Sequence, residues 1–141
     1  MNNMNDQETI KNKDSKEVEN KVWIGDDGII YVTLAKNLTE KDVWDIVEDV
    51  EENLERLPNK AKILVNMTTT TLIQSSQFRK TTAEKIKKIA SNPKFGKAAL
   101  YAEAVIWRTI ASFILMASGT KNVKVFNNEK KALDWLKKVI I

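Results

Sequence analysis

The chain contains no cysteine and no histidine among its 141 residues. The first absence excludes disulfides and thiolate chemistry. The second removes the commonest general base and the commonest metal ligand. Glycine is scarce: Gly25, Gly28, Gly96 and Gly119 are the four, and none stands in a pattern that cradles phosphate groups. The nucleophile-elbow pattern Gly-x-Ser-x-Gly is missing, and Ser75 and Ser76 have no histidine to activate them. No apolar run reaches the roughly twenty residues that span a bilayer, and the N-terminus has no apolar core of the kind a secretory signal needs. These absences predict a protein that is not an enzyme, holds no cofactor and no metal, has no membrane span and works in the cytoplasm.

What is present suits one ordinary domain with a real core. Residues 1–20 are mostly Asn, Lys, Glu and Asp, a composition that cannot bury enough apolar surface to order itself. They are expected to form a disordered polar tail, followed by a folded domain over residues 21–141. The net charge of +4 is unevenly spread. Residues 39–57 hold two basic and eight acidic side chains, a net of −6, whereas residues 59–141 hold sixteen basic and four acidic ones, a net of +12. Such asymmetry can steer a charged partner, although solvated surface is the plainer explanation. Nucleic-acid binding is not expected, because no aromatic residues are interleaved with the cations to stack on bases.

Taken in order, residues 22–35 are two β-rich runs around Gly25-Asp26-Asp27-Gly28, which predicts a hairpin. Turn chemistry accounts for both aspartates. Residues 38–57 predict a helix, with Thr39 as N-cap and Val43, Ile46, Val47, Val50, Leu54 and Leu57 on one stripe. Residues 61–67 are nearly all apolar, the signature of a strand buried on both faces. A helix follows to about residue 90. Its buried stripe is Phe78, Ala83, Ile86, Ile89 and Ala90, its outer face is basic, and Ser75 or Ser76 is its N-cap. A strand over 97–102 leads to an apolar helix over 104–118 that Gly119 closes. A last strand, 123–126, precedes a helix capped by Asn127 or Asn128, with Trp135 expected in the core. The order β-β-α-β-α-β-α-β-α predicts an α/β fold with a mixed, mostly parallel five-stranded sheet and right-handed crossovers.

Two stretches are candidate sites. The first is the hydroxyl-rich turn between strand and helix, Thr70, Thr71, Gln74, Ser75, Ser76 and Arg79, since ligands of α/β proteins gather where strands end and helices begin. The plainest reading of its serines is a helix cap. The second is the helix over 104–118. A helix apolar nearly all round is covered on more than one side. Ile106, Trp107, Ile110, Phe113 and Ile114 are therefore candidates for contact with a second copy of the chain, another protein, or a lipid-like ligand.

Two segments also carry a family resemblance. Residues 123–138, VKVFNNEKKALDWLKK, and residues 97–119, a strand running into an apolar helix with an internal arginine, resemble the SpoIIAA-like family, part of the wider STAS and CRAL-TRIO-like group. The resemblance implies helices packed largely on one face of the sheet and a regulatory module that acts through protein contacts; the outward face of the apolar helix adds the expectation of a homodimer. It implies, as alternatives, a carrier or sensor of a small apolar ligand and a phospho-switch. Anti-sigma-factor antagonists of this group carry Asp-Ser-Ser-Gly or Asp-Ser-Thr-Gly where this chain has Gln74-Ser75-Ser76-Gln77. Ser75 falls on the phosphorylated position, while the acidic and glycine positions are both glutamine.

Overall fold

The structure, a computed structural model, describes residues 19–34, 38–58, 60–67 and 76–138. Five strands and four helices alternate as expected. They are β1 (Lys21–Ile24), β2 (Ile30–Thr33), α1 (Glu40–Glu55), β3 (Ala61–Asn66), α2 (Ser76–Ala90), β4 (Phe95–Tyr101), α3 (Val105–Ser118), β5 (Val123–Phe126) and α4 (Glu129–Lys137). The sheet order is sequential, β1 to β5; β1 pairs antiparallel with β2 and every other pair is parallel.

This order decides where the helices lie. Each parallel connection steps to the next strand in the same direction, and right-handed crossovers that all step one way leave their helices on one face. Thus α1, α2 and α3 share a core with Ile30, Val32, Ile63 and Ala98. After β5 no strand remains to be reached. The chain folds back, and α4 covers the other face over β3, β4 and β5, where Ala132 and Leu136 meet Leu64, Ala99 and Tyr101. Successive residues of a strand point to opposite faces, so Ala98 belongs to the three-helix layer and its neighbour Ala99 to the α4 layer.

Local chemistry sets the element ends. The Thr39 hydroxyl accepts from the Asp42 N–H at 3.1 Å, and the Asp42 carboxylate accepts from the Thr39 N–H at 3.0 Å. This capping box contributes about 1 kcal/mol. Val43, Val47, Val50 and Leu54 form the buried stripe of α1. Gly119 ends α3 with φ 67°, a left-handed conformation that glycine adopts without strain. Of the two cap candidates for α4, Asn128 is the cap: its Oδ1 accepts from Lys131 N–H at 2.9 Å. At Gly96 a Cβ would stand 2.6 Å from the Lys60 carbonyl, so only glycine lets β4 run this close to the start of β3. The β3–β4 register shifts at that point, between Ala61 and Lys62.

Three expectations change in detail. Trp135 is only partly buried, packing at the edge of the α4 layer against Phe126 with ring centroids 5.7 Å apart. On α2, Phe78 and Ala83 are buried, but Ile86, Ile89 and Ala90 keep partial exposure. The strand expected over 97–102 starts instead at Phe95, so Lys97 stands inside it, and it is buried.

Candidate functional site

The partial exposure on α2 has a cause. Between the helix-covered face of the sheet and α1, α2 and α3 lies an apolar cavity of about 150 Å³. Val65 and Leu100, on the two inner strands, form its floor; these are positions a close-packed α/β core would seal, yet both remain partly accessible. Alanines at 90, 98 and 111 leave the space, and Leu38, Phe78, Ile86 and Ile114 help to wall it. Protein interiors normally pack without voids of this size. Among the described residues only two lining side chains carry polar groups, Thr82 and Lys85. Thr82 Oγ1 is the one buried side-chain polar atom among the described residues with no hydrogen-bond partner. Lys85 Nζ stands 3.4 Å from the centroid of the exposed Trp44 ring.

The second feature is the outer side of α3. Its sequence is apolar nearly all round, and the structure divides it. Ile110 and Ile114 are buried in the core and Trp107 packs against it, whereas Ile106 and Phe113 face outward. Val105 and Met116 join them, Met116 being 76% exposed. Arg108 is turned inward, its Nη1 donating to the carbonyls of Ala102 and Glu103 at 2.8 and 2.7 Å. It ties α3 to the end of β4. Beside this face a groove between α2 and α3 is lined by Arg79, Lys80 and Lys87 on one side and by Phe113 and Ala117 on the other.

Of the strand-to-helix turn, Thr70, Thr71, Gln74 and Ser75 lie outside the described residues. Ser76 is the first residue of α2, and Arg79 is partly exposed one turn on. The structure therefore places Arg79 with the α2–α3 groove. Among the described residues no group of three or more Asp or Glu side chains could hold a metal ion, and no helix is long and apolar enough to cross a membrane.

The opposite face carries most of the titratable groups whose surroundings shift them. Lys97 Nζ donates to the carbonyls of Trp135 and Lys138 and lies 4.5 Å from the Trp135 ring centroid. Burial, then the nearby Lys62 and Lys138 charges, lowers its pKa. In the hairpin the Tyr31 hydroxyl donates to Asp27 Oδ2 at 2.6 Å, and the Ile29 N–H donates to Oδ1 at 3.1 Å. Burial opposes ionisation of Asp27, but these hydrogen bonds outweigh it and its pKa is lowered. The same bond, with burial, pushes Tyr31 up to about 12. Trp23 stacks on Tyr31 at 5.4 Å.

With the sequential sheet, the helices on one face and the returning terminal helix in view, the comparison with protein families is decisive. The family described as SpoIIAA-like matches residues 29–137, from the start of β2 to the end of α4. The chain belongs to the SpoIIAA-like family. No curated protein and no solved structure matches it. The described part of this SpoIIAA-like domain offers a cavity and an apolar helix face. The sequence reading missed Thr82, Lys85, Val105 and Met116. A signal existed for Thr82, which falls on the apolar stripe of α2, four residues after Phe78 and four before Ile86.

Proposed function

We propose that this SpoIIAA-like domain is a non-catalytic binding and regulatory module of the cytoplasm that works through protein contacts, with a second copy of the chain against the outer side of α3. The observation that carries the reading is the row of large apolar side chains exposed there, Val105, Ile106, Phe113 and Met116, each more than half exposed. Large apolar side chains exposed on one side of a helix mark an interaction surface, with the exposed Thr109 and Ser112 between its two ends. Symmetric pairing would bring each protomer's row against the other's. Sedimentation velocity between about 1 and 100 μM, a range that brackets micromolar affinity, tests it. The expected result is a dimer for the natural chain and a monomer for the Phe113→Glu, Met116→Glu double variant, with unchanged circular dichroism. A natural chain that stays monomeric throughout contradicts the self-association.

A second reading, carriage or sensing of a small apolar ligand, is favoured by the cavity beneath α1–α3, whose walls are apolar apart from Thr82 and Lys85. Native mass spectrometry distinguishes the two. Retained apolar mass supports the carrier, and an empty dimer supports the protein-binding module. A phospho-switch at Ser75, the remaining proposal, predicts one added phosphate in the intact mass of the chain after exposure to a cognate kinase; no added mass in any state would retire it.

A further inference from the structure

Deepening the apolar-ligand reading, on which the inference rests, we propose that the cavity beneath α1, α2 and α3 binds a small monocarboxylate, with its apolar body over Val65 and Leu100 and its carboxylate taken by Thr82 and Lys85. Three observations converge. The volume, about 150 Å³, is that of a cavity that admits a molecule of benzene's size. Among the described residues the walls offer no alternative partner for a polar head: every such lining side chain except Thr82 and Lys85 is a hydrocarbon or thioether. Finally, Thr82 Oγ1 is buried without a partner, and a buried hydroxyl left unpaired costs stability that a bound acceptor would restore.

The sign of the head group follows from the same residues. A hydroxyl can donate or accept, so Thr82 alone would take an acid, an alcohol or an amine. Lys85 removes the ambiguity. Its side chain lines the cavity and its ammonium rests over the Trp44 ring, and among the described residues no acidic side chain lines the cavity. An anionic head meets a cation and a hydroxyl donor there, whereas an ammonium head meets a like charge with nothing to balance it. Leaving Trp44 to meet a carboxylate exchanges a surface cation–π contact for a charge-assisted hydrogen bond, the stronger of the two. Trp44 therefore reports occupancy of the head-group end.

The test uses the full chain and four probes of similar apolar size: hexanoate, 1-hexanol, hexylamine and benzene. Binding is followed by the methyl NMR shifts of Val65 and Leu100 and by Trp44 emission in a chain whose other tryptophans are replaced by phenylalanine. Hexanoate is expected to saturate both signals and to bind at least about tenfold more tightly than hexylamine, the equivalent of one favourable charged contact. Thr82→Val should weaken hexanoate by about fivefold, the loss of one hydrogen bond, without lowering stability. Lys85→Met should abolish the preference for hexanoate over hexanol and silence Trp44, while leaving benzene binding intact. If benzene shifts the methyl signals but hexanoate is no tighter than hexylamine, or Thr82→Val and Lys85→Met both bind hexanoate as the natural chain does, the carboxylate site is refuted and the apolar-ligand reading stands. If no probe shifts Val65 or Leu100, both fall.

Discussion

On one face of the sheet three helices enclose an apolar cavity of about 150 Å³; on the other a single nine-residue helix closes down until Ala99, Ala132 and Leu136 have no exposure at all. The larger layer has the greater apolar area and the looser fit. The smaller layer is tight, and it carries the buried Lys97, whose ammonium caps the last carbonyls of α4. Core size and core quality are separate properties here. A layer assembled by three crossover helices can keep a space between them, because the lengths of β-strands and loops fix the helix spacing. A lone terminal helix has no such constraint and settles onto the sheet until its side chains touch.

The largest effect that could break this contrast is a truncation in the tight layer. Leu136→Ala should cost about 3–4 kcal/mol, the usual penalty where surroundings cannot relax. Leu100→Ala, at the edge of an existing space, should cost about 1–2 kcal/mol. Urea titrations with unchanged slopes measure both, and equal losses would mean that the two layers are packed alike.

Next in size is overfilling. Ala99→Val, with α4 directly above, should destabilise by about 1–3 kcal/mol.

Smaller still is the hairpin bond. Tyr31→Phe should cost about 0.5–1 kcal/mol near neutrality, the net worth of one partly exposed hydrogen bond. Its pH dependence has two signs. Tyr31 is raised in the folded state, so its contribution is complete below pH 10 and fades as pH climbs through about 12. Asp27 is lowered, so its contribution is complete above the ordinary carboxylate range and fades as pH falls through its depressed value. The stability difference between the natural chain and Tyr31→Phe should therefore be flat from about pH 5 to 9 and shrink on both sides. A flat difference into strong alkali would show that the Asp27 bond does not hold the phenol.

The order of elements was legible because it rests on local chemistry. Thr39 and Asn128 announce helix starts, Gly119 a helix end, and Asp27-Gly28 a turn between β-branched runs. The site was less legible because it rests on fit between distant residues. Ile86, Ile89 and Ala90 have the spacing of a core stripe and do face the core. Nothing in their spacing tells that Val65, Ala98 and Leu100 leave room beneath them. In α3 apolar residues on every side conceal which side is covered, so Ile110 and Ile114 read the same as Ile106 and Phe113 until the helix is placed. Lys97 finds its acceptors 38 and 41 residues away, beyond any local pattern.

Two neighbouring alanines test the contrast between the layers most directly. Ala98 and Ala99 are adjacent in one strand, differ only in the face they present, and would gain equally from the strand preference of valine. Ala98→Val adds its methyl groups to the cavity and should leave stability unchanged or raise it by a few tenths of a kcal/mol, in contrast to the loss from Ala99→Val. A loss at Ala98 as large as the loss at Ala99 would mean that the three-helix layer has no space to fill, and the cavity on which the ligand proposal rests would go with it.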